Sequence, residues 1–175
     1  MAKCKNCKQE YKKYRPLQNV CGYECSIELS KARMETKKAK AWAKEKAKRK
    51  EALKTVQELV LETQKVFNAY IRKRDEGKPC IACGSDNMKK VNASHYYNAN
   101  NHWNVRFDED NVHSGCEYCN TYLHGNLIPY RENLIKRIGG DRFFALELKA
   151  DFTRKFTREE LKELKQLYKQ KIKEL

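Results

Sequence analysis

The spacing of apolar residues predicts an amphipathic helix between Glu51 and Arg74. Apolar side chains recur there at intervals of three or four residues, or multiples of them, which places them on one helical face. That face consists of Leu53, Val56, Val60, Phe67, Tyr70 and Ile71. Gly77 and Pro79 follow in the stretch RDEGKPC and end the helix. An apolar stripe of this kind has to be buried, so we expect the helix to pack against another element.

A second amphipathic helix is predicted at the end of the chain, in FTREELKELKQLYKQKIKEL. Thr157 and Glu160 have the spacing of a capping box, in which the two side chains bind free backbone N–H groups of the first turn. The apolar stripe of this helix consists of Leu161, Leu164, Tyr168, Ile172 and Leu175. The stripe is expected either to pack within the chain or to pair with a second subunit.

The segment from Ser26 to Lys50 favours helix but has no apolar stripe. It is rich in Ala, Lys and Glu and contains neither Gly nor Pro. Between Lys31 and Lys50 there are ten basic and two acidic residues, a net charge of +8. Such a run can be a solvated helical face, but a run of one sign also favours phosphate contact. The predicted DNA-binding residues of this helix are Lys37, Lys38, Lys40, Lys44, Lys46, Lys48, Arg49 and Lys50.

The composition extends this charge to the whole chain. The 175 residues are 35% charged, carry a formal net charge of +15 and have a mean hydropathy of −0.94. This composition favours small modules over one large core and indicates a polyanionic partner, with nucleic acid as the first candidate. The N-terminus has no apolar signal region, and no stretch approaches the roughly 18 apolar residues that would span a bilayer. We expect no membrane contact and a cytoplasmic location, in the host cell cytoplasm if a phage encodes the protein.

The eight cysteines form two groups of four. Pairs of cysteines with two or three residues between them, the two pairs separated by a longer stretch of chain, have the spacing of four-cysteine zinc sites. Disulfides are rare in a reducing compartment, and they or redox pairs are the alternative. Two structural zinc ions are therefore predicted, one on Cys4, Cys7, Cys21 and Cys25, the other on Cys80, Cys83, Cys116 and Cys119.

A group of polar residues around the second cysteine set could carry out chemistry. His95 ends a short β-prone stretch, Asn111 precedes the second cysteine pair, and Asn120 and His124 follow in CEYCNTYLHGN. If CEYC opens a helix, Asn120 and His124 share one face about 6 Å apart, within reach of one metal ion. An imidazole can take a proton from water near neutral pH, and ligands without thiolates suit magnesium or manganese. Such a site can hydrolyse a phosphodiester.

The order of these residues resembles the ββα-metal fold of HNH endonucleases that are braced by a four-cysteine zinc. The segments CIACGS, ASHYYNA, VRFDEDNVHSGCEYCN and GNLIPYRENLIKRIGG, with CKNC and CGYEC near the N-terminus, are more closely similar to the phage lambda NinG (Rap) recombination family. This resemblance covers nearly the whole chain. It implies a structure-selective, metal-dependent endonuclease that cuts branched recombination intermediates such as Holliday junctions and D-loops.

The expected fold is therefore α+β and mostly helical, in four parts. They are a zinc module at 1–27, a basic and then amphipathic helical segment at 28–76, an HNH-like ββα-metal domain with its own zinc at 77–140, and a C-terminal helical segment at 141–175.

The resemblance also assigns roles to single residues. His95 matches the general base, Asn111 an asparagine that orients the loop and the base, and Asn120 a metal ligand. Many HNH enzymes carry an Asp directly before the base as a second ligand, and here Ser94 stands in that position. His124 is expected to compensate, because some members of the fold use a histidine there.

Each assignment has a simpler alternative. His95 could be structural, Asn120 a helix cap, and His124 an exposed residue or a zinc ligand. Arg131 is expected either to clamp the scissile phosphate or to form a salt bridge. The remaining candidates are two histidines, non-catalytic or in phosphate contact, and three aromatic residues, stacked on bases or packed in the core: His102, His113, Tyr96, Tyr97 and Trp103.

Three functions compete. The first is endonuclease action on branched DNA, the second a non-catalytic zinc-containing protein that binds branched DNA in recombination, and the third an RNA- or ribosome-associated zinc protein. The order of His95, Asn111, Asn120 and His124 favours the first, because charge and zinc alone would not require it. Symmetric cutting would suit a homodimer with two sites, for which the two apolar stripes could supply an interface.

Overall fold

The computed structural model describes residues 1–175, and the protein is mostly helical with two small antiparallel sheets. This confirms the expected α+β, mostly helical class. The strands are β1 (Ala2–Lys3), β2 (Glu10–Tyr11), β3 (Val91–His95) and β4 (Val112–Cys116). The helices are α1 (Tyr23–Leu53), α2 (Val56–Arg74), α3 (Leu127–Ile138), α4 (Gly140–Ala150) and α5 (Arg158–Glu174). No helix combines the length and the apolar character that crossing a membrane requires.

The chain divides into two compact units, Met1–Lys54 and Thr55–Leu175. The first contains the β1–β2 hairpin, the first cysteine group and α1. None of the 31 residues of α1 is buried. The helix therefore gains nothing from a hydrophobic core, and its stability depends on its Ala-, Lys- and Glu-rich sequence and on whatever holds its N-terminus.

The second unit begins with a capping box that the sequence analysis did not identify. The Thr55 side chain accepts a hydrogen bond from the Glu58 backbone, and the Glu58 carboxylate accepts one from the Thr55 backbone N–H. This cap starts α2 at Val56, so the division into two units falls inside the segment 28–76. Leu53 accordingly ends α1, where it is 81% exposed, and does not join the stripe of α2.

The two apolar stripes pack against each other. Thr63 of α2 donates a hydrogen bond to the Leu161 carbonyl near the start of α5. Lys73, near the end of α2, donates one to the Ile172 carbonyl near the end of α5. Both sets of partners advance in the same direction, so the helices run parallel. Phe67 lies between them with its ring centroid 4.7 Å from that of Tyr168. The predicted capping box of Thr157 and Glu160 starts α5.

This contact decides between the two alternatives for the terminal helix in favour of packing within the chain. Val60, Phe67, Leu161 and Tyr168 are buried in one core. Because the stripes cover each other, they are not free to form the interface that the expected homodimer would use. The homodimer stays a prediction without that support.

The β3–β4 hairpin lies between this core and a second one. Val112 of β4 and Ala93 of β3 pack against the α2–α5 core. The second core consists of the second cysteine loop, α3 and α4, and includes Ile81, Tyr130 and Leu146. The hairpin is thus supported from two sides, and this positions the end of β3, where His95 stands.

The outer edge of β4 is protected by hydrogen bonds. Asp75, just after α2, accepts from the Ser114 backbone N–H at 3.1 Å, and the Ile81 N–H donates to the Ser114 carbonyl at 3.0 Å. Both groups would otherwise be unpaired edge groups. These bonds connect β4 to α2 on one hand and to the cysteine loop on the other.

Candidate functional site

The second cysteine group lies where β4 ends. The four sulfur atoms of Cys80, Cys83, Cys116 and Cys119 all lie within 4.8 Å of one another, and those of Cys83 and Cys116 are 3.9 Å apart. A tetrahedral zinc with Zn–S bonds of about 2.3 Å requires sulfur separations of about 3.8 Å. A disulfide needs about 2.05 Å, and all eight cysteines are free. The group could therefore hold a zinc ion.

Backbone N–H groups prepare this site for a metal. The Cys116 N–H donates to the Cys80 sulfur at 3.2 Å, and the Cys119 N–H donates to the Cys116 sulfur at 3.4 Å. Burial alone would raise the pKa of the Cys80 thiol, but hydrogen bonds from the backbone of Cys83, Cys116 and Ala82 outweigh it and lower the pKa to about 7. Thiolate is the form that binds metal, so these bonds favour the ligand state.

The first cysteine group has the same design. Its sulfur atoms also lie within 4.8 Å of one another, with Cys7 and Cys21 at 3.7 Å and Cys21 and Cys25 at 3.5 Å. The Cys21 N–H donates to the Cys4 sulfur at 3.4 Å. Cys25 belongs to the first turn of α1. A zinc ion held here would fix the start of the exposed basic helix.

The helix expected after CEYC is shorter than the sequence analysis assumed. A π-helical turn covers only Tyr118–Tyr122, and His124, Gly125 and Asn126 follow with φ angles of +50°, +97° and +50°. His124 therefore does not share a helical face with Asn120, which corrects the expected arrangement. The left-handed residues turn the chain sharply before α3 begins at Leu127.

One cavity nevertheless brings three of the four candidate residues together. It has a volume of about 670 Å³ and is lined by His95, Asn120 and His124. The wall also includes polar residues that the sequence analysis did not assign to the site: Asn68 of α2 and Asn98, Asn100 and His102 of the loop after β3. The cavity thus contains three imidazoles. Those of His95 and His124 were predicted to belong to the site, and that of His102 was predicted to be non-catalytic or in phosphate contact.

The His95 ring is oriented by the backbone. Its Nε2 lies 3.3 Å from the Arg106 carbonyl oxygen. A carbonyl can only accept, so Nε2 carries the proton in this contact and Nδ1 is left as an acceptor. Burial lowers the pKa of His95 to about 4, although the Arg106 carbonyl opposes the shift. At neutral pH the ring is therefore uncharged and can accept a proton.

Asn111 lies outside the cavity and is fully buried. Its Oδ1 accepts from the Tyr97 N–H at 2.8 Å, and its Nδ2 donates to the carbonyls of Tyr97 and Val105 at 3.1 Å and 2.9 Å. The amide group thus bridges Tyr97 and Val105 within the loop that follows His95. This contact set suits an orienting role and leaves no group free to react.

Ser94 points away from the cavity. It is 2% exposed, and neighbouring strand residues face opposite sides of the hairpin. A Cβ atom on Gly115 of β4 would come within 3.1 Å of the Ser94 Cβ. Position 94 therefore faces the tightly packed side between β4 and the cysteine group, whereas His95 faces the cavity.

The other candidates take part mainly in packing and ion pairs. Arg131 lies 3.8 Å from the Glu147 carboxylate and 5.0 Å from the Phe143 ring centroid, and it does not line the cavity. The salt bridge is thus formed, and the phosphate clamp stays a prediction. His113 is buried beside Arg74 and Asp75. Of the aromatic residues, Tyr96 and Tyr97 both line the cavity, Tyr96 packing also against Tyr130 and Phe143 and Tyr97 against His102. Trp103 packs against Phe156.

The chain is similar in sequence to a family of phage proteins. A family model described as bacteriophage lambda NinG protein matches residues 1–175. A protein named ninG from Escherichia phage 933W is 35% identical over 187 aligned positions, which cover 99% of this chain and 92% of that protein. Proteins of the same name from Salmonella phage P22 and Escherichia phage lambda are 42% and 40% identical, and each match covers 73% of this chain and 62% of the relative. No solved structure matches the chain.

Proposed function

The chain belongs to the NinG family of phage proteins, and on that premise we propose that it is a metal-dependent endodeoxyribonuclease acting on branched recombination intermediates. One observation carries the proposal. His95, with its tautomer fixed by the Arg106 carbonyl, shares a solvent-accessible cavity with Asn120 and His124. The order strand, strand, helical turn around this cavity resembles the order of the HNH ββα-metal fold and supports the proposal.

His95 is proposed as the general base. Its Nδ1 takes a proton from the water that attacks the phosphorus, while Nε2–H stays bonded to the Arg106 carbonyl. The low pKa of His95 keeps the ring neutral at physiological pH, so its Nδ1 is unprotonated. Asn111 keeps the loop after His95 in place through its bonds to Tyr97 and Val105.

Asn120 and His124 are proposed to hold the catalytic cation. The amide oxygen of Asn120 suits a hard cation such as magnesium or manganese that keeps several water ligands, and the absence of thiolate disfavours a soft metal here. When bound, such an ion neutralises charge on the phosphate and on the departing 3′ oxygen. Asn120 lies within the Tyr118–Tyr122 turn, and His124 follows two residues after its end.

The two cysteine groups are proposed to hold structural zinc ions, and α1 is proposed to bind DNA. Zinc at the second group holds the end of β4 and the Tyr118–Tyr122 turn, and hence Asn120, in place. The exposed Lys and Arg side chains of α1 contact DNA phosphates. Among polyanions we favour branched DNA because the family resemblance implies it.

The proposal is tested by cleavage of a labelled four-way junction and a matched linear duplex, with magnesium, manganese or no divalent ion. The variants are His95→Ala and, as a control, Gln166→Ala, which changes an exposed uncharged side chain of α5 outside the cavity. We expect junction-selective, metal-dependent cutting that His95→Ala abolishes while junction binding is retained. Loss of binding in parallel would contradict the role of His95 as a base.

A second candidate is a protein that binds branched DNA without cutting it. The observation that favours it is the cavity wall, which contains no carboxylate, while Ser94 occupies the position of the usual Asp and faces elsewhere. Tight junction binding by the wild type with no cutting in either metal would establish this function in place of the first.

A further inference from the structure

Two tyrosine rings project from the turn that carries Asn120. Tyr118 and Tyr122 begin and end this turn, and they are 62% and 68% exposed. Their ring centroids lie 6.0 Å apart, and the ring planes are inclined by 32°. The two rings therefore contact each other, while the greater part of each side chain faces solvent.

The backbone of the turn holds this tyrosine pair in place. The Leu123 N–H donates to the Tyr118 carbonyl at 3.1 Å and closes the turn. Cys119, the residue after Tyr118, is buried, and its sulfur atom belongs to the second cysteine group. A tyrosine on a fixed backbone has only two χ angles to order when it binds a partner, so binding costs it little conformational entropy. The pair is thus already arranged to receive a flat ligand.

The tyrosine pair lies on the other side of the turn from the cavity. Residues four apart on a helical turn are neighbours, whereas residues two apart do not face each other. Asn120 stands midway between the two tyrosines, and it lines the cavity. A helical turn is about 10 Å wide, so at a rise of about 3.4 Å per nucleotide the rings are about three nucleotides from a phosphate bound in the cavity.

A nucleobase fits this surface better than a second protein chain does. The two side chains together expose roughly 300 Å², well below the about 800 Å² per partner that a stable protein interface buries. The net charge of +15 attracts a polyanion and opposes contact between two copies of the chain. Unpaired bases stack on exposed aromatic rings whatever their sequence, whereas the bases inside a continuous duplex offer no free face.

We propose that Tyr118 and Tyr122 form a stacking subsite for an unpaired base near the branch point of the substrate, and that this subsite makes the protein prefer branched DNA to duplex. The inference rests on the proposed function, because it assumes that the cavity takes DNA. It deepens that function by naming side chains that select the branched form. Base stacking was one alternative for Tyr96 and Trp103, but both rings pack against other aromatic side chains.

The test measures the affinity of the full chain, loaded with zinc, for two DNA probes without magnesium or manganese. One probe is a D-loop mimic, in which one strand is displaced and unpaired, and the other is a fully paired duplex of the same length. The variants are Tyr118→Leu, Tyr122→Leu, Tyr118→Phe and Tyr122→Phe. The matched control is Phe144→Leu, which changes a 60% exposed aromatic residue of α4 that does not line the cavity.

The two leucine variants should lose affinity for the D-loop mimic alone. We expect about tenfold weaker binding of this probe for each of them, as for one lost base–aromatic contact, and unchanged binding of the duplex. The salt slope should keep its wild-type value, because stacking neutralises no phosphate. The two phenylalanine variants keep the ring and should bind both probes like the wild type, and so should Phe144→Leu.

A 2-aminopurine base in the displaced strand reports the stacking directly. Its fluorescence is quenched when it stacks on an aromatic ring, so we expect stronger quenching by the wild type and the phenylalanine variants than by the leucine variants. Zinc content and melting temperature should not change, because both tyrosine side chains are largely exposed. If one leucine variant loses zinc, the other one decides the question.

Three results would overturn the inference. They are an unchanged preference for the D-loop mimic in a zinc-loaded leucine variant at each position, an equal loss in the leucine and phenylalanine variants, and a wild type that binds the duplex equally well. Sedimentation adds a fourth. If the wild type is a dimer that Tyr118→Leu dissociates while the DNA preference stays, the rings belong to an interface between two copies and the subsite fails.

The result is separable from nuclease activity. If the wild type cuts junctions and the leucine variants keep the preference for the D-loop mimic, the subsite fails and the nuclease proposal stands. If the wild type binds the D-loop mimic, cuts no DNA in either metal, and the leucine variants lose the preference, the nuclease proposal fails and the subsite stands.

Discussion

Replacing Asp75 by Asn should strongly destabilise the second unit. The Asp75 side chain is 1% exposed and accepts hydrogen bonds from Arg74 at 2.8 Å and 2.9 Å, from Lys78 at 3.0 Å and from the Ser114 backbone at 3.1 Å. Asn keeps the shape and one acceptor oxygen, but it removes the charge that compensates Arg74. The substitution therefore isolates the electrostatic part of this contact.

Breaking one side of a buried ion pair costs about 3–5 kcal/mol. We expect the lower end, about 3 kcal/mol, because Arg74 keeps its bonds to the carbonyls of Glu109 and Val112. For a unit of this size that corresponds to a fall in melting temperature of about 10 °C. The matched control is Glu147→Gln, which removes a half-exposed pair with Arg131 and should cost less than about 1 kcal/mol.

The assay is urea unfolding followed by tryptophan fluorescence in a Trp42→Phe background. The chain has two tryptophans, so Trp103 then reports on the second unit alone. This matters because a chain of two units need not unfold in one step. A difference below about 1 kcal/mol between Asp75→Asn and the wild type would refute the reasoning, since it would mean that the buried charge contributes nothing.

The difference in free energy of unfolding between the wild type and Asp75→Asn depends on pH, and the sign of this dependence follows from the pKa of Asp75. Burial opposes the charge of Asp75, but hydrogen bonds from His113, Arg74 and Lys78 outweigh it and hold the pKa of this carboxyl well below its ordinary value. A carboxyl group with a lowered pKa stabilises the fold above its unfolded pKa, near 4, and loses that contribution as pH falls further. The gap between wild type and variant should therefore be constant from pH 7 to pH 5 and shrink below pH 4.

Three further predictions follow from the cysteine groups, from His95 and from α1. Cys83→Ser should release one of two zinc ions and unfold the second unit, as measured by metal analysis and circular dichroism; a folded variant with two zinc ions would contradict the site. Single-turnover cleavage at saturating manganese should not fall between pH 7.5 and 6, because the His95 pKa of about 4 keeps the ring neutral throughout; a midpoint near 6.5 would contradict the lowered pKa of His95. Changing Lys44, Lys46 and Lys48 to Gln should reduce the salt slope of junction binding by up to about 0.9 per phosphate contact, and an unchanged slope would remove α1 from the DNA-binding surface.

The parts of the fold that the sequence predicted are those with local signals. The stripe of α5 and its capping box are visible in nineteen consecutive letters, because helical periodicity and capping depend only on near neighbours. The cysteine groups are visible because zinc fixes the spacing of its ligands. The capping box at Thr55 and Glu58 was equally visible, and identifying it would have predicted the end of α1 correctly.

The arrangement of Asn120 and His124 could not be predicted in the same way. A regular helix after CEYC was predicted from local propensity. In the structure the geometry of this segment is instead constrained by Cys116 and Cys119, whose sulfur atoms belong to the second cysteine group. The Gly125 N–H donates back to the Cys119 carbonyl at 2.8 Å, and the Asn126 side chain reaches the Cys119 sulfur at 3.7 Å. These contacts end the turn at Tyr122 and require the left-handed conformations that follow.

The residues that a motif identifies and the residues that fix their geometry lie in different parts of the chain. His95 stands opposite Val112 in the hairpin, and Val112 is fully buried against the α2–α5 core. The carbonyl that orients His95 belongs to Arg106, whose guanidinium is bound by Gln64 of α2. Spacing within 80–124 can reveal the first kind of residue, because metal and proton chemistry restricts residue type and order. It cannot reveal the second kind, because any element that buries Val112 or binds Arg106 would serve. The geometry of the candidate site is thus a property of the whole Thr55–Leu175 unit.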